Sequence, residues 1–331
     1  MVPLSVLDLV PVGSGSTATA ALASSTALVR RAEELGFRRY WVAEHHAMPG
    51  IASSSPAVLI AHLAAASSSI RVGSGGVMLP NHQPLVVAEQ FGTLEALHPG
   101  RIDLGIGRAP GTDQRTARAL RRGTDAMNVD DFPDQLTELA AYFRGEGPVT
   151  AVPAAGNAPA MWLLGSSGYS AQVAGLLGLP FAFAHHFSAE NTMPALALYR
   201  QRFRPSPTLS EPYAMIAANV TCAETDAEAR RLALPGALSF LQLRLGRPGL
   251  LPSPDEAAAY PYTDEERLFI TDRQSTQLIG SPETVREQVH ELVERTGVDE
   301  LMITTQTHAG ADRLRSYELV ADALDLAPVA A

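Results

Sequence analysis

Short apolar runs alternate along this chain with longer stretches in which apolar residues recur three or four positions apart, the change of period that separates strand from helix. Residues 4–10 read as a first strand and 24–35 as a helix stopped by Gly36, where a left-handed cap costs little. Strands follow at 40–43, 70–73 and 102–105, with an alanine-rich helix at 56–66 and another helix at 84–97 between them. Further apolar strands fall at 161–164, 181–184, 215–220 and 301–304, separated by helical patterns at 171–177, 192–203, 225–245 and 282–295, with a closing helix at 314–324. Such short, unalternating apolar runs suit parallel strands covered on both faces. Eight of them alternating with helices predict an α/β fold, a TIM (β/α)8 barrel in preference to a doubly wound open sheet. The 331 residues fit one such domain.

Two stretches break the alternation. Residues 108–131 are rich in charge and glycine, and 246–264 are rich in proline and acidic residues. Both read as insertions at the carboxyl-terminal face of the barrel, and 246–264 is the candidate lid.

In a barrel of this kind ligands gather beyond the carboxyl ends of the strands. The second strand ends in Glu44, His45 and His46. Side chains alternate along an extended chain, so Glu44 and His46 share one direction and His45 takes the other. That division lets one imidazole face a reacting ligand while its neighbour and the carboxylate hydrogen-bond behind it. Gly75, Gly76 and Met78 follow the third strand, and a glycine pair permits either a turn or close approach of a planar ligand. Arg108, after the fourth strand, has the paired N–H groups that grip phosphate or carboxylate. Ser166, Ser167, Gly168, Tyr169 and Ser170 form a small polar turn opening a helix, which suits a phosphate or a plain serine cap.

Composition narrows the chemistry. All 25 basic residues are arginine, which excludes a lysine Schiff base and a Walker-type phosphate lysine. A net charge of −10 disfavours nucleic acid and anionic membrane as partners. Cys222 is the only cysteine, and no run of about 18 apolar residues suggests a membrane span, so a soluble cytoplasmic protein is expected. His82, His185 and His186 join His45 and His46 near strand ends and raise the question of zinc. Adjacent histidines on one strand point apart and chelate a single ion poorly, so an organic ligand is preferred to a metal and no metal site is assigned.

The order EHH, VGSGGVMLPNHQPL, GRIDLGIGRAPG and LGSSGYSAQVAGLLGLPFAFAHHF, closed by LIGSPETVREQVHELVERTGVDELMI, resembles the bacterial luciferase-like flavin monooxygenases over nearly the whole chain. The resemblance implies a TIM-type barrel holding FMN at its carboxyl end, with Arg108 and Ser166 to Ser170 at the flavin phosphate. It places Gly75 and Gly76, joined by a non-prolyl cis peptide, against the isoalloxazine ring, and makes His45 the active-site histidine. It implies that an NAD(P)H-dependent flavin reductase supplies FMNH2, which reacts with O2 to a C4a-peroxyflavin that oxygenates a small organic substrate, with a polyketide-type secondary metabolite as one candidate. A homodimer is expected on the same ground. Gln83 stands where the luciferases carry a histidine, with His82 one place earlier, so light emission is not implied. A deazaflavin F420-dependent oxidoreductase, a non-catalytic flavin-binding protein and a metal hydrolase are the alternatives.

Overall fold

The computed structural model describes residues 1–109, 114–120 and 131–327. The rest of the 108–131 insertion, at 110–113 and 121–130, lies outside the described residues. The strands are β1 (Leu4–Asp8), β2 (Arg39–Val42), β3 (Arg71–Ser74), β4 (Val77–Met78), β5 (Ile102–Gly107), β6 (Ala160–Gly165), β7 (Phe181–Phe183), β8 (Ala214–Cys222), β9 (Leu278–Gly280) and β10 (Glu300–Thr304). All pair in parallel, and β10 closes the circle by pairing with β1 through Leu4 and Leu301 and with β8 through Met215 and Glu300. Eight of them make the TIM barrel that the alternation predicts. The other two, β4 and β9, are too short to show in an apolar pattern: β4 pairs only with the end of β5, and β9 with the end of β8.

The helices are α1 (Ala18–Glu34), α2 (Pro56–Ala65), α3 (Pro84–Leu97), α4 (Gln114–Leu120), α5 (Phe132–Arg144), α6 (Gly168–Leu177), α7 (Thr192–Arg202), α8 (Asp226–Arg244), α9 (Pro254–Ala259), α10 (Asp264–Ser275), α11 (Pro282–Thr296) and α12 (Gly310–Ala323). Most match the periodic segments within two or three residues. The first begins earlier than residue 24, because its alanine-rich opening turns carry little apolar stripe and are set by Thr17, whose side chain caps the Ala20 N–H at 3.2 Å.

The 246–264 segment is more ordered than a loop. It contains α9, and the excursion runs on through α10. Each helix starts in a capping box, Ser253 with Glu256 and Thr263 with Glu266. Both pack on α8 through Ala237, Leu241, Ala257 and Ile270. The segment is also tied to the loop after β1, where Ser14 N–H donates to Leu251 O at 2.8 Å and Leu251 N–H to Val12 O at 2.9 Å.

Alternation along each strand splits the barrel into two layers. Outward residues such as Val6, Val72, Ile106 and Ile303 meet the helices. Inward ones, Leu7, Trp41, Trp162, Met215 and Met302, fill the middle of the barrel. Below them, at the amino ends of the strands, lies a charged floor. Arg39 donates to Asp103 Oδ2 at 2.7 Å and spans both oxygens of Glu300 at 2.7 and 3.1 Å. Arg71 takes the other oxygen of Asp103 at 2.7 Å, and Tyr213 and Ser5 donate to Glu300. Burial disfavours the Arg39 cation, but the two carboxylates outweigh that and hold its pKa above the ordinary value.

Breaking a buried pair strands the surviving charge, at a cost of roughly 3–5 kcal/mol. Glu300→Ala is therefore expected to lower the urea midpoint strongly, while Arg231→Ala, in an exposed pair with Glu228, leaves it nearly unchanged. Comparable midpoints for the two variants would show that the floor does not stabilise the barrel.

Candidate active site

The carboxyl end of β2 turns out of the barrel at Glu44, a fully buried carboxylate. It accepts from His46 Nε2 at 2.9 Å, His82 Nε2 at 2.9 Å, Met78 N–H at 2.9 Å and Asn81 Nδ2 at 3.3 Å. Burial raises its pKa, but the bonds from His82, His46 and the Met78 amide outweigh this and leave it below the usual carboxylate range. Glu44 is thus an ionised hub that fastens the β4 segment to the end of β2. Glu44 and His46 lie on the same side, as their spacing predicts. His45 is half-buried, with its amide bonded to Ser53 O at 3.0 Å, and lies close enough to His186 for its charge to act there.

Gly75 and Gly76 lie between β3 and β4, and the bond joining them is cis. A Cβ on Gly75 would stand 2.7 Å from Leu7 Cδ1, and one on Gly76 2.7 Å from the Gly105 carbonyl oxygen. The β5 backbone excludes a side chain at Gly76, while one at Gly75 would press on Leu7 and Trp41, so this stretch is held as bare backbone. Met78 lies two residues on, and its sulfur lies over Gly107, one residue before Arg108.

Arg108 is brought to the β6–α6 turn, with its guanidinium carbon 4.1 Å from the centre of the Tyr169 ring. Helix α6 begins at Gly168 with Ser167 as N-cap, and no side chain caps its first turn. Its first amides, from Gly168, Tyr169 and Ser170, therefore open beside a cation, with Ser166 and Ser167 adjoining. Ser170 itself is buried, and its side chain packs on Gly165, so it offers this turn its amide. Arg108, Tyr169 and the serine turn thus lie together, with the cationic and N–H chemistry that suits an anion. No described carboxylate pairs with Arg108 at 4.0 Å or less.

Across the barrel, β7 runs into His185 and His186. His186 Nδ1 lies 3.0 Å from the Ala217 carbonyl, which can only accept, so Nδ1 carries the proton and a neutral ring leaves Nε2 as an acceptor. Burial, with Arg273, His185 and His45 nearby, pushes the His186 pKa down to about 4. His185 bonds Thr192 Oγ1 at 2.7 Å and is likewise pushed down to about 4, by burial and Arg295. The run of two histidines was legible, but their neutrality depends on partners from β8 and distant helices. Arg273, on α10, is a residue of the mouth that the sequence reading missed, because it lies in a helix with a single buried residue, Ile270. The capping signature TDEE at 263–266 is the signal that could have found that helix. Among the described residues no three His, Cys, Asp or Glu side chains form a group that could hold a metal ion, and no helix is long and apolar enough to cross a membrane.

A closed parallel barrel with an arginine, a cis glycine pair and imidazoles at its carboxyl mouth has the architecture of the TIM-barrel class of enzymes. Residues 2–300 match the luciferase-like monooxygenase family, and the chain belongs to that family. It is similar to a luciferase-like monooxygenase of Escherichia coli K12, with 46% identity over 97% of this chain and 96% of that one. It is also similar to N-acetyl-S-alkylcysteine monooxygenase of Bacillus subtilis, at 35% identity over 98% of both. The solved structure of apo-MsnO8 superposes with a TM-score of 0.92 at 42% identity, covering 99% of this chain and 100% of that chain. These relations make the chain a luciferase-like monooxygenase by class. An FMN complex of the oxygenating constituent of 3,6-diketocamphane monooxygenase, at 20% identity and TM-score 0.74, and an F420-dependent secondary alcohol dehydrogenase, at 14% and 0.68, share the fold alone.

The histidine pair makes a pH prediction. An unfolded histidine takes up a proton near pH 6.5, whereas His185 and His186 resist until about 4, so between these values the unfolded state holds more protons and stability falls as pH falls. Urea unfolding is expected to show a loss of roughly 1–3 kcal/mol from pH 6.5 to 4 that a His185→Asn/His186→Asn variant lacks. An equal slope in the variant would count against neutral imidazoles.

Proposed function

We propose that this chain is an FMNH2-dependent monooxygenase that uses O2 to oxygenate a small organic substrate, with secondary metabolites such as polyketide intermediates as the class to screen. The observation that carries the reading is the Arg108–Tyr169 pair at the uncapped start of α6, beside the bare Gly75–Gly76 backbone. A flavin mononucleotide needs an anchor for a dianionic phosphate and a flat wall for its ring, and these residues have the chemistry of both. Arg108, Ser166, Ser167, Tyr169 and the amides of Gly168 and Ser170 would hold the phosphate, with Gly75, Gly76 and Met78 along the ring. Bound reduced FMN supplies the electrons that activate O2.

The remaining work falls to side chains. His45 donates or accepts a proton at the reacting oxygen. His46 and Glu44 hold that strand end in place, with His82 fixing the neighbouring segment through the same carboxylate. The segment from Gly246 through α10 covers the mouth and keeps water from it. A cytoplasmic NAD(P)H-dependent flavin reductase would supply FMNH2, and the chain would act as a homodimer, which light scattering can check.

Anaerobic titration tests the cofactor. Reduced FMN is expected to bind more tightly than reduced F420, and Arg108→Ala is expected to weaken FMN by about 10- to 100-fold, as loss of a charged hydrogen bond does. Preference for F420, or an unchanged affinity in the variant, would overturn the assignment. In oxygen-dependent turnover with a reductase and a metabolite panel, His45→Ala should lose most product while retaining FMN; equal product would remove His45 from the chemistry.

A further inference from the structure

His186 is held at the end of β7 from two sides. Its N–H and its Nδ1 both reach the Ala217 carbonyl on β8, at 2.7 and 3.0 Å. Its own carbonyl accepts from Asn219 Nδ2 at 3.3 Å and from Arg273 Nη2, on α10, at 2.9 Å. Backbone and ring are thereby fixed together. The polar atom left over is Nε2, which has no hydrogen-bond partner among the described residues. With the ring proton on Nδ1, Nε2 carries a lone pair. A purely structural side chain would not need it: asparagine at this position would set an amide N–H where Nδ1–H stands and keep the bond to Ala217. What the imidazole adds is an acceptor further out.

Its place in the barrel gives that acceptor a use. Counting round the closed sheet, β2 and β7 are four strands apart in either direction, so they stand opposite each other. His186 nevertheless lies within range of the charge on His45, which follows β2. Side chains leaving opposite strands come that near by leaning in over the mouth. His186 is half-buried there, and burial, with Arg273, His185 and His45 nearby, pushes its pKa down to about 4, so the lone pair is present at neutral pH. The same neighbours choose the partner. The positive charge of Arg273 acts on the ring and disfavours an ammonium donor, and a carboxylate has no proton to give. A neutral hydroxyl or amide N–H fits.

We propose that His186 is a specificity-determining residue whose Nε2 accepts a hydrogen bond from a neutral hydroxyl or amide N–H of the substrate, across the mouth from His45. The contact positions the molecule and moves no proton. A site with a fixed acceptor discriminates against the analogue that lacks the donor, because the lone pair is then left unpaired. That this selects the molecule to be oxygenated rests on the monooxygenase reading above; the acceptor itself does not.

Calorimetric titration of the full-length protein with p-cresol and its methyl ether, with FMN in excess, separates the two. The phenol is expected to bind about fivefold or more tightly than the ether, as one hydrogen bond supplies. His186→Asn, which keeps the donor to Ala217 and lacks the outer acceptor, should remove that preference. His186→Gln, whose amide oxygen reaches close to the place of Nε2, should keep most of it. Because either change could disturb β7, nitrogen NMR of the unaltered chain with labelled histidine gives a second reading: the Nε2 signal of His186 should move with p-cresol and stay in place with the ether. Equal affinity for phenol and ether, a preference that survives His186→Asn, asparagine and glutamine variants that behave alike, or an unmoved Nε2 signal would each overturn the proposal. Failure of FMN to bind beside an intact phenol preference would overturn the cofactor reading instead.

Discussion

Arg39 is enclosed by protein on every side, and the barrel closes around the two carboxylates that neutralise it. Asp103 comes from β5 and Glu300 from β10, neither of which is a neighbour of β2 in the sheet, so these bonds cross the interior and tie three separate strands. With Arg71 the floor holds two cations and two anions, and every charge has a partner. A hydrophobic plug of the same volume could be as stable. What the ions add is register: a slip of one residue in β2, β5 or β10 would turn a charge out among the apolar residues under the helices, an error too costly to persist.

A fixed floor and a filled middle leave only the mouth for chemistry. Trp41 and Trp162 meet edge to face at 5.3 Å, and the Trp41 indole donates to Asp103, so the aromatic layer is bolted to the charged one. Above it the walls are set by Glu44, whose four hydrogen-bond donors come from His46 and from the segment after β3. Glu44 could serve as a proton carrier only by releasing bonds that hold the mouth together. The same economy governs His186: a proton on Nδ1, held by the Ala217 carbonyl, gives the ring one defined acceptor instead of a charge.

The barrel was legible because its strands are apolar runs of ordinary length and its helices carry stripes facing inward. The elements that escaped have weak stripes or too few residues. α10 buries little beyond Ile270, α9 has six residues, and β4 and β9 depend on pairing with the ends of β5 and β8. α5 had a readable stripe, Phe132, Leu136 and Leu139 before the cap at Gly145, but stands beyond an insertion that broke the alternation. In the site, Glu44, His45, His46, the glycines and Arg108 were visible as residue types at strand ends. The division of roles among them was not, since it depends on who faces whom: Arg108 on Tyr169, His82 on Glu44, and Ser170 turned to Gly165.

The arginines show how this protein handles cations withdrawn from solvent. Arg39 has Asp103 and Glu300, and Arg313, on α12, has Asp8 at 2.7 Å. Each is neutralised within the fold, because nothing else reaches it. Arg273 has a backbone carbonyl, an aromatic face and an orphan N–H. A carbonyl and a ring lower the cost of burying a guanidinium without cancelling its charge. Among the described residues no carboxylate pairs with Arg273, which is half-buried, so solvent shares with the carbonyl and the ring the work of stabilising its charge.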